Sequence, residues 1–312
     1  MLFLGGPPVA PVFIVIFGYF IAESKKSTIQ LIIRGLKIIF LGLFLNIALN
    51  LNLIISVSQG KFNIDIWPYI FGIDILPLAG LSLIIIAMLS FFWRINKSFI
   101  LIPLIILILI SAFLGNFLLN YSTAQPLLKY ALSPFYGVST WSYFPLFPWL
   151  SYSLTGIAFY KIKQNYNFNI LYTLKTKIIF GVLFILFLTF TIQYGISISS
   201  SVSLESGQKY YHHDLVFFLW VIVFLSLYSY FTNEIDKIIG STILLKYIKW
   251  LGKNITVLYI IQWIIIGNTA TEIYKTISSP FYLCTSFLVV LVASSLFCYL
   301  WTKLKVKFIK PA

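Results

Sequence analysis

Residues 99–119 read FILIPLIILILISAFLGNFLL, an unbroken apolar run without a single charged side chain. About 20 such residues in a helix cross the hydrocarbon core of a bilayer. Eight further runs of similar character flank it, at 2–22, 38–56, 71–92, 143–160, 178–196, 214–231, 254–271 and 281–301. The fold expected is therefore all-α: a polytopic transmembrane helix bundle of about nine spans. Connections are short, the longest being Asn120 to Ser142, and no soluble domain is inserted, so residues 1–312 read as one integral-membrane domain.

Composition agrees. Of 312 residues 60% are hydrophobic and 10% charged, with a mean hydropathy of +0.96. A soluble domain carries about one quarter charged residues, so lipid must cover the surface. Disorder is excluded by the same balance. Cys284 and Cys298 fall on one expected helix, roughly 21 Å apart at ~1.5 Å per residue, too far to bridge.

The net charge of +14 invites a nucleic-acid reading, which its distribution rejects. Nine spans alternate ten flanks between two sides. Of the 22 basic residues, 18 fall on one side, and only Lys61, Lys129, Lys209 and Lys275 on the other. The positive-inside rule makes the rich side cytoplasmic, with Lys175 and Lys246 inside and Lys209 outside. The N-terminus is then outside and the C-terminus cytoplasmic. The first span opens on Gly5-Gly6-Pro7-Pro8 with no basic flank; one further upstream helix is expected to be missing from this chain, the alternative being a genuine start outside, which a short uncharged N-terminus can manage. The abundance of Ile, Lys, Asn and Phe fits a microbial source, hence a bacterial cytoplasmic membrane.

Intramembrane polar groups are costly and mark functional positions. Asn46, Asn50, Asp74, Asn116, Gln193 and Asn268 fall in the outer halves of their spans, with Gln262 mid-span. Together they suggest a water-accessible cavity opening away from the cytoplasm. An ionised Asp74 would cost ~2.5–3.5 kcal/mol in hydrocarbon and needs a partner or water; Asn and Gln often only bond neighbouring helices. His212 and His213, the only histidines, precede Asp214 at the outer mouth of the seventh span. Imidazole suits proton transfer near neutral pH; the bland alternative is an interfacial anchor. Neighbouring side chains diverge by about 100° at a helix start, so one of the two should face the cavity, His213 being favoured. No metal is expected, because no third histidine or outer cysteine completes a ligand set. In the segment from Trp141 to Leu150, Pro145 and Pro148 cannot both lie in a helix interior. Either the fifth helix starts at Pro148 or the segment is an irregular loop; Trp141 reads as a belt residue.

Three stretches resemble one family: Gly6-Pro7-Pro8-Val9-Ala10-Pro11-Val12-Phe13 running to Phe17-Gly18-Tyr19; Phe144-Pro145-Leu146-Phe147-Pro148-Trp149-Leu150 running to Gly156; and Leu251-Gly252-Lys253-Asn254 running to Tyr259. The family is that of the heparan-α-glucosaminide N-acetyltransferase catalytic domain, a group of membrane acyltransferases. The resemblance implies acetyl-CoA or another acyl-CoA used from the cytoplasm and a saccharide or glycolipid acceptor on the far side. It also implies a histidine between the first two helices, in a region that would precede Gly5; residues 1–4 hold none. Either the catalytic histidine is lost with that upstream region or the chain uses another group; on the local argument above, the candidate catalytic groups are His213, His212 and Asp74. Asp214, Trp149, Asn46 and Gln262 are expected to bind substrate, while Arg34 and Lys37 at the cytoplasmic mouth of span two bind the CoA phosphates. A transporter or flippase is the competing reading, against which stands the lack of a visible internal repeat or charge relay.

Overall fold

The computed structural model describes residues 9–95, 101–165, 174–195, 210–239, 242–270 and 279–309, and every regular element among them is helical. In chain order these are α1 (Val9–Glu23), α2 (Thr28–Leu49), α3 (Leu51–Ser58), the single turn α4 (Trp67–Ile70), α5 (Ile75–Ile95), α6 (Leu101–Leu118) and α7 (Pro126–Leu132). There follow α8 (Leu146–Asn165), α9 (Leu174–Phe190) with a wider turn over Thr191–Gly195, α10 (Leu215–Ile239), α11 (Ile243–Lys253), α12 (Ile255–Ala270) and α13 (Pro280–Ile309). Lys97, Lys209, Lys275 and Lys310, and residues 2–8 of the first expected span, lie outside the described residues.

By length and composition, Thr28–Leu49, Leu101–Leu118, Leu215–Ile238 and Pro280–Leu304 can each cross a membrane, and the bent pair α11–α12 forms a fifth candidate. On α2 the exposed side chains Ile29, Ile33, Leu36, Phe40, Phe44 and Ile47 recur every three or four residues, giving one continuous apolar face. A face of that kind belongs against lipid. The chain is an integral membrane protein, all-helical among the described residues.

Two compact units are present. The first holds residues up to Gly42 and Gly72–Asn233, the second Leu43–Phe71 and Glu234–Ala312.

The first unit is built around α8, which packs on α1, α5 and α6. Every residue from Pro148 to Ala158 is buried. Its start resolves the two-proline segment. Phe147 is extended (φ −102°, ψ 124°), as a residue before proline is pushed to be, so regular helix begins at Pro148. The α1–α8 crossing depends on two missing side chains. A Cβ on Gly18 would lie 1.9 Å from the Ser153 carbonyl oxygen, and one on Gly156 2.0 Å from that of Val15. Here backbone meets backbone, as small residues permit between helices in a membrane.

The expected apolar run 38–56 is not one helix. α2 starts ten residues earlier, at Thr28, with Arg34 and Lys37 exposed on it, and it breaks at Asn50. The Asn50 amide donates to the Asn46 carbonyl (2.9 Å) and to that of Tyr69 (3.2 Å), and the Asn46 amide donates to Ile70 O (3.1 Å). Side-chain amides that bond nearby backbone compete with helix continuation, and here they also hold α4 in place. Asn268 on α12 donates to Ala48 O (2.8 Å), and its own side-chain oxygen accepts from the Asn52 backbone (3.0 Å). Cys284 and Cys298 are both free thiols on α13.

Gly156→Ala should destabilise the protein by about 1–3 kcal/mol, the range for overpacked cores, seen as a lower unfolding temperature in detergent. Gly181→Ala on α9, where an added Cβ meets nothing within 4 Å, should be neutral or stabilising by up to ~1 kcal/mol.

Candidate active site

Within the first unit, the segments 141–144 and 210–214 come together, the latter carrying His212, His213 and Asp214. Segment 141–144 is pinned to the turn before α5: Ile73 N–H donates to Trp141 O (3.1 Å) and Phe144 N–H to Ile73 O (2.8 Å). Asp74 follows directly and is half-buried. Its carboxylate accepts the Ile75 N–H at 2.7 Å, and its carbonyl accepts from Leu78, so it opens α5. Burial, and after it the Asp74 charge, hold the Tyr211 hydroxyl above its ordinary pKa.

Asp214 plays the matching part at α10. Its side chain accepts from the Phe217 N–H at 2.9 Å, the bond of a helix N-cap.

The two histidines diverge. His213 is 3% exposed, boxed by Trp149, Phe217 and Tyr152 with ring centroids 5.0, 4.8 and 5.5 Å away. Its Nδ1 lies 2.8 Å from the Tyr210 carbonyl, which can only accept, so Nδ1 carries the proton. Nε2 then accepts the Tyr152 hydroxyl at 2.9 Å. Both ring nitrogens are engaged. Burial lowers the His213 pKa to about 4. Trp149, fully buried, donates from Nε1 to Tyr211 O at 2.7 Å, so this expected substrate-binding residue braces the histidine segment instead.

His212 is the ring that faces open space, reversing the preference for His213. It lines a cleft of about 340 Å³ together with Lys129, Gly137, Ser139, Thr140 and Trp141. Nε2–H donates to Ser142 O at 2.7 Å, so the neutral ring keeps its lone pair on Nδ1. Burial lowers its pKa, partly offset by that bond. The ring lies flat against Gly137, where a Cβ would come within 2.5 Å of its Cε1. Trp141, expected in the aromatic belt, stacks on Tyr130 (4.6 Å between centroids) in the cleft wall.

Sequence reasoning missed Gly137, Ser142 and Tyr152. Each acts through a partner 61 to 75 positions away in the chain, which no local pattern announces.

A second cleft, of about 490 Å³, is lined by Lys26, Gln30, Ile33, Arg34 and Lys37. The two residues expected to bind CoA phosphates thus share one basic pocket at the start of α2.

Asn46 and Gln262 belong to the second unit, the former buried in the bond to Ile70 O and the latter exposed on α12. Among the described residues no cluster of three or more His, Cys, Asp or Glu is placed to hold a metal.

The model of the heparan-alpha-glucosaminide N-acetyltransferase catalytic family matches residues 2–185. The chain belongs to that family. Membership points to membrane acetyltransferase activity, of a type that uses acetyl-CoA. The match takes in the α1–α8 crossing, the basic pocket, Asp74 and the Gly137–Ser142 wall, and it ends before His212 and His213. No curated protein and no solved structure matches the chain.

An unfolded histidine takes its proton near pH 6.5, whereas His213 in the folded chain takes it only near pH 4. Between these values the unfolded chain binds more protons, so stability falls with falling pH. From pH 6.5 to 5 the loss from this group is about 2 kcal/mol, at ~1.4 kcal/mol per pH unit. Thermal unfolding in detergent across that range should show a shallower acid slope for His213→Gln than for the parent.

Proposed function

We propose that the chain crosses a bacterial cytoplasmic membrane nine times, N-terminus outside, and moves an acetyl group from cytoplasmic acetyl-CoA to an outer saccharide or glycolipid acceptor. The observation that carries this reading is His212: a neutral imidazole, its Nε2–H fixed on a carbonyl and its Nδ1 lone pair free, in the wall of an open cleft. A general base needs that tautomer and that access. As the acceptor hydroxyl or amine attacks the acyl carbonyl carbon, its proton passes to Nδ1. The bond between acyl carbon and sulfur breaks, and the electron pair leaves on the thiolate of CoA, which takes up the proton in the end.

His213 is a positioning residue in this scheme. With both nitrogens bonded to Tyr210 and Tyr152, it sets the orientation of the 210–214 segment. Asp74 acts at one remove, fixing the start of α5. Asp214 caps α10 close by and can meet an acceptor from its exposed side.

On the donor side, Arg34 and Lys37 with Lys26 and Gln30 supply the cations and amide that phosphate groups require. The charge partition along the chain puts this pocket in the cytoplasm and the His212 cleft on the other face.

Membranes containing the protein should transfer labelled acetyl groups from acetyl-CoA to an amino-sugar acceptor above the level of membranes lacking it. His212→Ala should cut turnover by ~10²–10⁴, the usual weight of general-base help, at unchanged protein level. Arg34→Ala/Lys37→Ala should chiefly raise KM for acetyl-CoA. Absence of transfer, or full turnover in His212→Ala, would sink the proposal.

A further inference from the structure

Helix α11 differs in kind from the spans around it. Its sequence, ILLKYIKWLGK, places Ile243, Tyr247, Leu251, Leu244 and Ile248 within about 140° of the helix circumference, at 100° per residue. Lys246, Lys249 and Lys253 fall within about 60° on another side. One face is therefore apolar and the other a lysine stripe, whereas α12 and α13 are apolar nearly all round.

The helix is also turned. It starts on a Thr242 cap, whose hydroxyl accepts from Leu245 N–H (3.4 Å), and meets the next segment at 82°. If Ile255–Thr269 runs across the bilayer, Ile243–Lys253 runs along its surface. Ile243 (87% exposed), Leu244 (67%) and Ile248 (51%) are left uncovered by protein. On the same face the Tyr247 hydroxyl reaches Ser295 of α13 at 2.7 Å, tying the helix to a neighbouring span. An in-plane helix of this pattern sinks its apolar side to the level of the acyl chains and keeps lysines among the headgroups.

The charge on the stripe is only partly answered by protein. Lys249 pairs with Asp236 at the end of α10 (2.7 Å), and Lys237 there pairs with Glu234 (2.7 Å). Among the described residues no acid lies in ion-pair distance of Lys246 or Lys253, and both are exposed. Two free cations beside an apolar edge left uncovered by protein are complementary to lipids that carry a negative headgroup over two acyl chains.

We propose that α11 is an in-plane docking site for anionic phospholipid, with Lys246 and Lys253 as its headgroup ligands and Ile243, Leu244 and Ile248 against the acyl chains. The site is independent of acetyl transfer and needs no acyl donor to be read. Each lysine near an anionic surface contributes roughly fivefold in affinity.

The test is native mass spectrometry of the full chain in detergent, offered phosphatidylglycerol and phosphatidylcholine of the same acyl chains. The parent should retain phosphatidylglycerol in preference. Lys246→Gln/Lys253→Gln should lose that preference several-fold, up to about thirtyfold, with its unfolding temperature unchanged. Lys163→Gln/Lys303→Gln, which removes the same charge from other helix ends, should keep it. An undiminished preference in Lys246→Gln/Lys253→Gln would overturn the site, as would an equal loss in Lys163→Gln/Lys303→Gln.

Discussion

Everything in the first unit depends on the approach of α1 to α8 without side chains between them. Carbonyl oxygens of Ser153 and Val15 occupy the space where side chains of Gly18 and Gly156 would stand. That closeness lets α8 be enclosed along its whole upper length, from Pro148 to Ala158. Enclosure in turn keeps Ser151, Tyr152, Ser153 and Thr155 of α8 buried in protein, residues that would be costly against lipid. Ser151 and Thr155 bond to carbonyls one turn back within α8, and Tyr152 reaches out to His213. The site is thus a consequence of how tightly two helices can pass.

From Tyr152 the order spreads outward. His213 is gripped at both nitrogens, Trp149 holds Tyr211 from below, and Asp214 starts the next helix. With that segment fixed, the adjacent residue, His212, has one available direction: across Gly137 and onto the Ser142 carbonyl. Two neighbouring histidines so acquire opposite environments, one sealed and structural, the other open and bonded only on its far nitrogen. Burial keeps both neutral near pH 7, which for His212 is the state a base requires.

Much of this was legible in the sequence. The apolar runs 99–119, 214–231 and 281–301 fall on α6, α10 and α13, helices long and apolar enough to cross a membrane, whereas the run 38–56 is divided between α2 and α3. The Pro145–Pro148 segment left two readings, and the extended Phe147 decided for a helix beginning at Pro148. Arg34 and Lys37, singled out as cations for the donor that the family resemblance implies, line one pocket. Four features were not legible. The facing of the histidines is set by Gly137, Ser142 and Tyr152, all distant in sequence. The start of α2 was hidden because charges at its exposed end imitate a flank. Asn46 was read as a cavity residue, but its amide is spent on the Ile70 carbonyl, a bond made only when the chain returns as α4. Gln262 has no local signal that separates an exposed position from a lining one.

The central claim is directional: the donor is used at the basic pocket of Arg34 and Lys37, and the acceptor is modified at the His212 cleft on the opposite face. The most direct measurement uses sealed vesicles carrying the protein in one orientation, with labelled acetyl-CoA confined to the side of Arg34 and an amino-sugar acceptor confined to the other. The account predicts labelled acceptor in the compartment that never held acetyl-CoA. Labelling that occurs only when donor and acceptor share one compartment would contradict it.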